Sequence, residues 1–254
     1  MPPIIERPVK FYVEQSPAFA LGKFINITPA IREVYNYTER PVPVFFHTEY
    51  VKQCFRDCPF IEIIDKPVGY RFFGSEMINW AIPDWRFSHK KILEALQTDR
   101  EDIPHTYVDY CDRTKDENYT VFLRGCGTTD PKKVAEKDPG EEIYFKMMDQ
   151  LPGNKVFVGS AEDRERFSSM PITCEVGDIR EALRLISRCS RVICNDTGLY
   201  HAAGAMKKSC FALWKNTRLS KNRNRFDDVK YSRNWQEDFN EWTNRHSADL
   251  LRKA

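Results

Sequence analysis

The sequence predicts an α/β protein made of two doubly wound, parallel-sheet domains. Three observations carry that expectation. In both halves, apolar runs of strand length alternate with longer stretches of helical periodicity, the β-α-β order that builds parallel sheets. One such run, Arg191-Val192-Ile193-Cys194-Asn195, breaks at Asp196-Thr197-Gly198 and restarts as a small-residue helix. Finally, 254 residues are enough to bury two cores of roughly 100 residues or more each.

In the amino-terminal half, Val9 to Glu14 reads as the first strand. Leu21 to Arg32 follows as a loop and first helix, Pro43 to His47 as a second strand, Tyr50 to Cys58 as a short helix and Phe60 to Ile64 as a third strand. Such an order opens a doubly wound sheet. The polar stretch from Cys111 to Asn118 is the expected linker, which sets an amino-terminal domain at 1–112 and a carboxy-terminal one at 119–254.

The second half repeats the pattern. Tyr119 to Leu123 reads as a strand, and Arg124 to Asp130 as the polar loop leaving it. A helix from Glu142 to Leu151 leads to a strand from Lys155, which ends in Gly159-Ser160 and an acidic turn. Between Asp178 and Cys189, apolar Ile179, Leu183, Ile186 and Cys189 alternate with charges, an amphipathic helix feeding the strand that ends at Asn195. Cys210 to Trp214 is a further strand. Trp235, Phe239 and Trp242 share one helical face, read as a helix returning to the amino-terminal domain.

The turn at Asp196-Thr197-Gly198 carries the most chemistry. Backbone N–H groups at a helix start point outward unpaired and the helix dipole adds positive potential, so a phosphate or polyol fits against Thr197 and Gly198. Asp196 suits hydroxyls rather than phosphate; an Asp capping a helix beside a relieving Gly explains the same residues structurally.

The run Asp196-Thr197-Gly198-Leu199-Tyr200-His201-Ala202-Ala203-Gly204 resembles the bacterial heptosyltransferase family, which reads Asp-Thr-Gly-Leu-x-His-Leu-Ala-Ala at the corresponding place. That resemblance implies a GT-B-like fold, two Rossmann-like domains facing a cleft, and a glycosyltransferase that moves a sugar from a nucleotide diphosphate sugar to an acceptor hydroxyl. It also implies inversion at the anomeric carbon, no metal and no cofactor beyond the donor. By the same resemblance Asp196 holds sugar hydroxyls, with Thr197, Gly198 and His201 in the donor site. The loop with Thr128, Thr129, Lys132 and Lys133 grips the diphosphate, and Glu162, with Asp163 next to it, meets the ribose.

One position departs from the family. The family carries Gly-Asp where this chain has Gly22-Lys23, and that Asp is regarded as the base that deprotonates the acceptor. A protonated lysine takes no proton, so either burial lowers its pKa, another group acts, or the chain is no catalyst. Glu14, at the end of the first strand, stands where the family usually has Arg or Lys. It is therefore the most economical replacement base, with His47, Glu76, Asp84 and His89 left open.

Composition narrows the remaining classes. No apolar run approaches the roughly 18 residues of a membrane helix and the first residues form no signal peptide, so a soluble, cytoplasmic protein is expected. Of the eight cysteines only Cys54 and Cys58 are close in sequence, without nearby His, which reads as free thiols rather than zinc or disulfides. Net charge is +2, yet Lys207 to Arg233 is strongly basic. The family resemblance implies a lipopolysaccharide-type saccharide as acceptor, while this basic segment, the compact size and the absent family acid allow a hydroxymethylated pyrimidine in phage DNA. The rival class is a non-catalytic nucleotide-sugar or nucleic-acid binding protein of the same fold.

Overall fold

A computed structural model of the chain describes residues 10–16, 21–74, 105–124, 132, 135, 137–159, 161–166, 168, 172–195, 197–213, 229–232 and 234–253. They fall into two compact units, one within Met1–Asp112 and the other beginning at Arg113. Both are α/β with wholly parallel sheets.

The amino-terminal unit runs β1 (Phe11–Gln15), α1 (Leu21–Thr38), β2 (Val42–Phe46), α2 (Glu49–Gln53), β3 (Ile61–Ile64) and β4 (Tyr70–Gly74). Its sheet order is β3-β2-β1-β4, so the winding reverses between β1 and β4. Alternation along β1 and β2 buries Val13, Gln15, Val42, Val44 and Phe46 on one face. Phe24 of α1 lies against Phe46 and Phe55, each ring centre 4.8 Å away, and closes that core.

Helix α1 carries Pro29 in its interior, which removes the N–H that would bond the Ile25 carbonyl. Thr28 repairs the gap: its hydroxyl donates to Ile25 O at 2.7 Å and accepts from the Tyr107 N–H at 2.8 Å. Strand β4 depends on a glycine. Gly69 has φ +86°, and a Cβ built there would lie 1.8 Å from the Lys10 carbonyl oxygen, the same oxygen that accepts from Tyr70 N at 3.0 Å.

A single 3-10 turn, Cys111–Arg113, lies at the boundary of the two units, where the sequence reads as linker. Then come β5 (Glu117–Leu123), α3 (Glu141–Gln150), β6 (Asn154–Gly159), α4 (Ala161–Arg166), β7 (Thr173–Val176), α5 (Ile179–Arg188), β8 (Cys189–Asn195), α6 (Gly198–Ala205), β9 (Ser209–Leu213), β10 (Val229–Ser232) and α7 (Trp235–Lys253). The sheet order is β10-β9-β8-β5-β6-β7, the 3-2-1-4-5-6 order of a dinucleotide-binding fold counted from β5. Asp178 caps α5, its carboxylate accepting from Glu181 N at 3.0 Å.

Several expectations change here. Phe239 and Trp242 of α7 sit in the carboxy-terminal core with Phe122, Tyr144, Met147, Ile193 and Phe211, so the aromatic face expected to dock on the first domain serves its own sheet. Val229–Ser232 pairs with β9 instead of belonging to a basic loop. Lys208 precedes β9, at the opposite end of the sheet from the predicted ligand side. It is 4% exposed, with Nζ bonded to the Lys115 carbonyl and 3.1 Å from Asp116 Oδ1. Six cysteines are free thiols, Cys54, Cys58, Cys111, Cys189, Cys194 and Cys210. Among the described residues no helix is long and apolar enough to cross a membrane.

Candidate functional site

Open α/β sheets bind ligands outside the carboxyl ends of their strands, where the winding reverses. In the carboxy-terminal unit that place lies between β5 and β8. Strand β8 ends in the fully buried Asn195, and two residues further Thr197 takes extended backbone angles, φ −132° and ψ 163°, as the residue before α6. Its side chain makes no capping bond, and Gly198 opens the helix without a Cβ. His201 is 3% exposed and its ring centre lies 3.8 Å from that of Tyr200.

Strand β5 ends beside it at Leu123, followed at once by Arg124. The guanidinium spans two acids: Nε donates to both Asp138 oxygens at 3.2 Å, Nη2 to Oδ2 at 2.6 Å and Nη1 to Glu141 Oε1 at 2.9 Å. Asp138 Oδ1 also accepts from Gly140 N at 3.1 Å. These bonds, Asp138 foremost, hold Arg124 more firmly protonated than usual against the opposing effect of burial. Asn195 Nδ2 donates to the Lys137 carbonyl at 3.3 Å, so the returning limb of the loop after β5 is fastened to the end of β8. Both ends of the predicted diphosphate loop are thereby tied to one corner of the sheet.

The structure places only some of the residues named from the sequence. Lys132 is exposed and Lys137 half-buried. Glu162 is the second residue of α4, and its side chain, like that of Asp163, is not among those described. Asp196, Thr128, Thr129 and Lys133 lie outside the described residues, as do Glu76, Asp84 and His89.

In the amino-terminal unit the winding reverses between β1 and β4, and Glu14 lies there. Its Oε1 is 2.7 Å from His47 Nε2, and its Oε2 pairs with Arg71 Nε from β4. His47 directly follows β2. The N–H groups of His47 and Thr48 both donate to Oε1 of the buried Gln15, at 3.1 and 3.0 Å. Lys23 is the third residue of α1; burial lowers its ammonium from the usual 10.5 to about 8.

Sequence reasoning passed over Arg71, Gln15, Arg124, Asp138 and Asn195. Arg124 and Asn195 had a readable signal, each a polar residue at the carboxyl end of an apolar strand. Gln15 and Asp138 had none, since their partners arrive from distant segments. Among the described residues no group of three or more His, Cys, Asp or Glu side chains is placed to hold a metal.

Comparison with known proteins adds a family and a fold. The sequence model described as glycosyltransferase family 9 (heptosyltransferase) matches residues 115–247, more than half of the chain. No curated protein matches it significantly by sequence. Among solved structures, E. coli heptosyltransferase WaaC with ADP superimposes with a TM-score of 0.67 at 11% identity, over 96% of this chain and 99% of that one. E. coli ADP-heptose lps heptosyltransferase II gives 0.61 at 12% identity, over 94% of this chain and 99% of that one. The iron-containing dodecameric glycosyltransferase TibC from enterotoxigenic E. coli gives 0.55 at 12% identity, over 88% of this chain and 62% of that one.

Proposed function

The chain belongs to glycosyltransferase family 9, the heptosyltransferase family, and on that premise we propose that this glycosyltransferase moves a heptose-like sugar from a nucleoside diphosphate donor to a saccharide hydroxyl. The observation that supports the donor side is the corner between β5 and β8, where Arg124, Asp138 and Asn195 fasten the loop and the α6 turn together. The start of α6, at Thr197 and Gly198, supplies backbone donors for the departing diphosphate, and Lys132 supplies charge from the loop. Asp196 holds the sugar. The acceptor oxygen attacks the anomeric carbon from the side opposite the diphosphate, which inverts its configuration.

A saccharide is preferred over DNA as acceptor because one lysine of the basic segment, Lys208, is buried against Asp116 and is not offered to a phosphate backbone. For the donor we take ADP-heptose, the ligand class named for the structural neighbours. The step proceeds without a metal, and full activity in EDTA is the corresponding expectation.

The test is to incubate the protein with ADP-heptose and a heptose-free lipopolysaccharide core, following ADP release and product mass. Asp196→Ala should abolish transfer and weaken ADP-heptose binding about 10- to 100-fold, the range for a hydrogen bond to a charged group, while calorimetry shows ADP binding nearly unchanged. Equal losses for both ligands would remove Asp196 from the sugar. Binding without any transfer or hydrolysis would favour the non-catalytic alternative.

A further inference from the structure

We propose that His47 is the base that deprotonates the acceptor hydroxyl, and that Glu14 is the residue that positions it; the inference rests on the transfer reaction given above. The family acid is replaced by Lys23, and Glu14 was the sequence's preferred substitute. In the structure both Glu14 oxygens are engaged, Oε1 by His47 and Oε2 by Arg71. Each oxygen thus already accepts from a donor on another strand or the residue after it, an arrangement that suits Glu14 to orienting a neighbour. His47 has the complementary arrangement. Because the Glu14 carboxylate only accepts, the neutral imidazole that makes this 2.7 Å contact carries its proton on Nε2 and a lone pair on Nδ1.

The imidazole is fixed from several sides. Gln15, fully buried, anchors the backbone of His47 and Thr48 through one oxygen, while its Nε2 donates to Ser16 O at 2.7 Å. Phe45 meets the His47 ring edge-on, 4.7 Å between centres at 74°. Glu14 from β1 and Arg71 from β4 are the charged groups in direct contact with this pair. The His47 side chain nevertheless remains 30% exposed, at the carboxyl edge beside the point where the winding reverses. An orienting carboxylate and a partly exposed imidazole are the parts of a general-base dyad.

The step balances without another reagent. As the acceptor oxygen forms its bond to the anomeric carbon, His47 Nδ1 takes the hydroxyl proton. The bond between the anomeric carbon and the diphosphate oxygen breaks, and its electron pair leaves with the nucleoside diphosphate. The imidazolium is held by the Glu14 carboxylate until it releases the proton to water.

The test uses the full chain, ADP-heptose and heptose-free lipopolysaccharide core. His47→Ala and His47→Gln should melt within a few degrees of the parent and bind ADP within about twofold of it. Each should lower kcat by about 10²–10⁴-fold, and added imidazole should restore part of the His47→Ala rate. Glu14→Gln should lower kcat less and shift the acidic limb of the pH–rate profile without erasing it. Normal turnover of both His47 variants in an active parent overturns the proposal alone. So does loss of the acidic limb in Glu14→Gln or Lys23→Ala with its retention in His47→Gln, which would make Glu14 or Lys23 the base. A parent that neither binds ADP nor transfers sugar overturns the donor reading and the base together.

Discussion

The two sheets are wound alike, yet their carboxyl edges are furnished differently. At the β1–β4 edge the charged side chains face one another around an accessible imidazole, Glu14 between His47 and Arg71. At the β5–β8 edge the strongest charges are spent on structure: Arg124 is clamped by Asp138 and Glu141, leaving the start of α6 to offer backbone N–H groups. A titratable group suits proton transfer, and fixed dipoles suit a departing anion. One architecture thus carries two different sets of groups through the residues that end its strands.

Gly69→Ala should break the first edge and has the largest expected effect. Any side chain there meets the Lys10 carbonyl and must hold φ near +86°, so β4 cannot keep its place beside β1 and Arg71 leaves Glu14. A loss of about 2–4 kcal/mol is expected in denaturant unfolding. If β4 tolerates alanine with unchanged stability, the first edge does not depend on this close approach.

Asp138→Asn tests the second edge. The substitution keeps shape but removes the charge that organises Arg124, and the loop should lose its anchor. ADP affinity measured by calorimetry should fall about tenfold, corresponding to one weakened charge-assisted bond. Unchanged affinity would mean that Arg124 and Asp138 hold the fold but not the loop's working geometry.

Lys23→Met changes stability in the opposite direction and sharpens the contrast. Burial lowers the Lys23 pKa to about 8 in the folded chain from 10.5. Between those values the unfolded chain binds more protons, so this residue's contribution makes stability rise with pH through that window, and its penalty is fully present below about pH 8. Lys23→Met should therefore stabilise the protein by about 1–2 kcal/mol at pH 7, the full shift discounted for partial exposure, and the gain should vanish toward pH 10.5. A gain independent of pH would assign the effect to packing instead.

Of the ten strands among the described residues, seven were readable. The missed strands β4, β7 and β10 all lie at sheet edges, where one side lacks a neighbour and the apolar signal thins. Val229-Lys230-Tyr231-Ser232, set within a basic run, shows the effect plainly. Helix Glu49–Gln53 came out shorter than the stretch from Tyr50 to Cys58 read as helical, because Phe55, Cys58 and Phe60 are buried by a turn rather than by one helical face.

What the sequence by itself determined is the class, the order of the central elements and the family, because these depend on local periodicity and on one contiguous run from Asp196 to Gly204. The charge exchange between Glu14 and Lys23 was visible there too. Only the tertiary structure decided what those charges do. Glu14 and Arg71 come from two strands and His47 directly follows a third, while Arg124, Asp138 and Asn195 come from separate segments, so each partnership exists only once parallel pairing sets the register. A carboxylate's role follows from the groups that reach its oxygens, and in a parallel sheet those groups are brought by strands far apart in the chain.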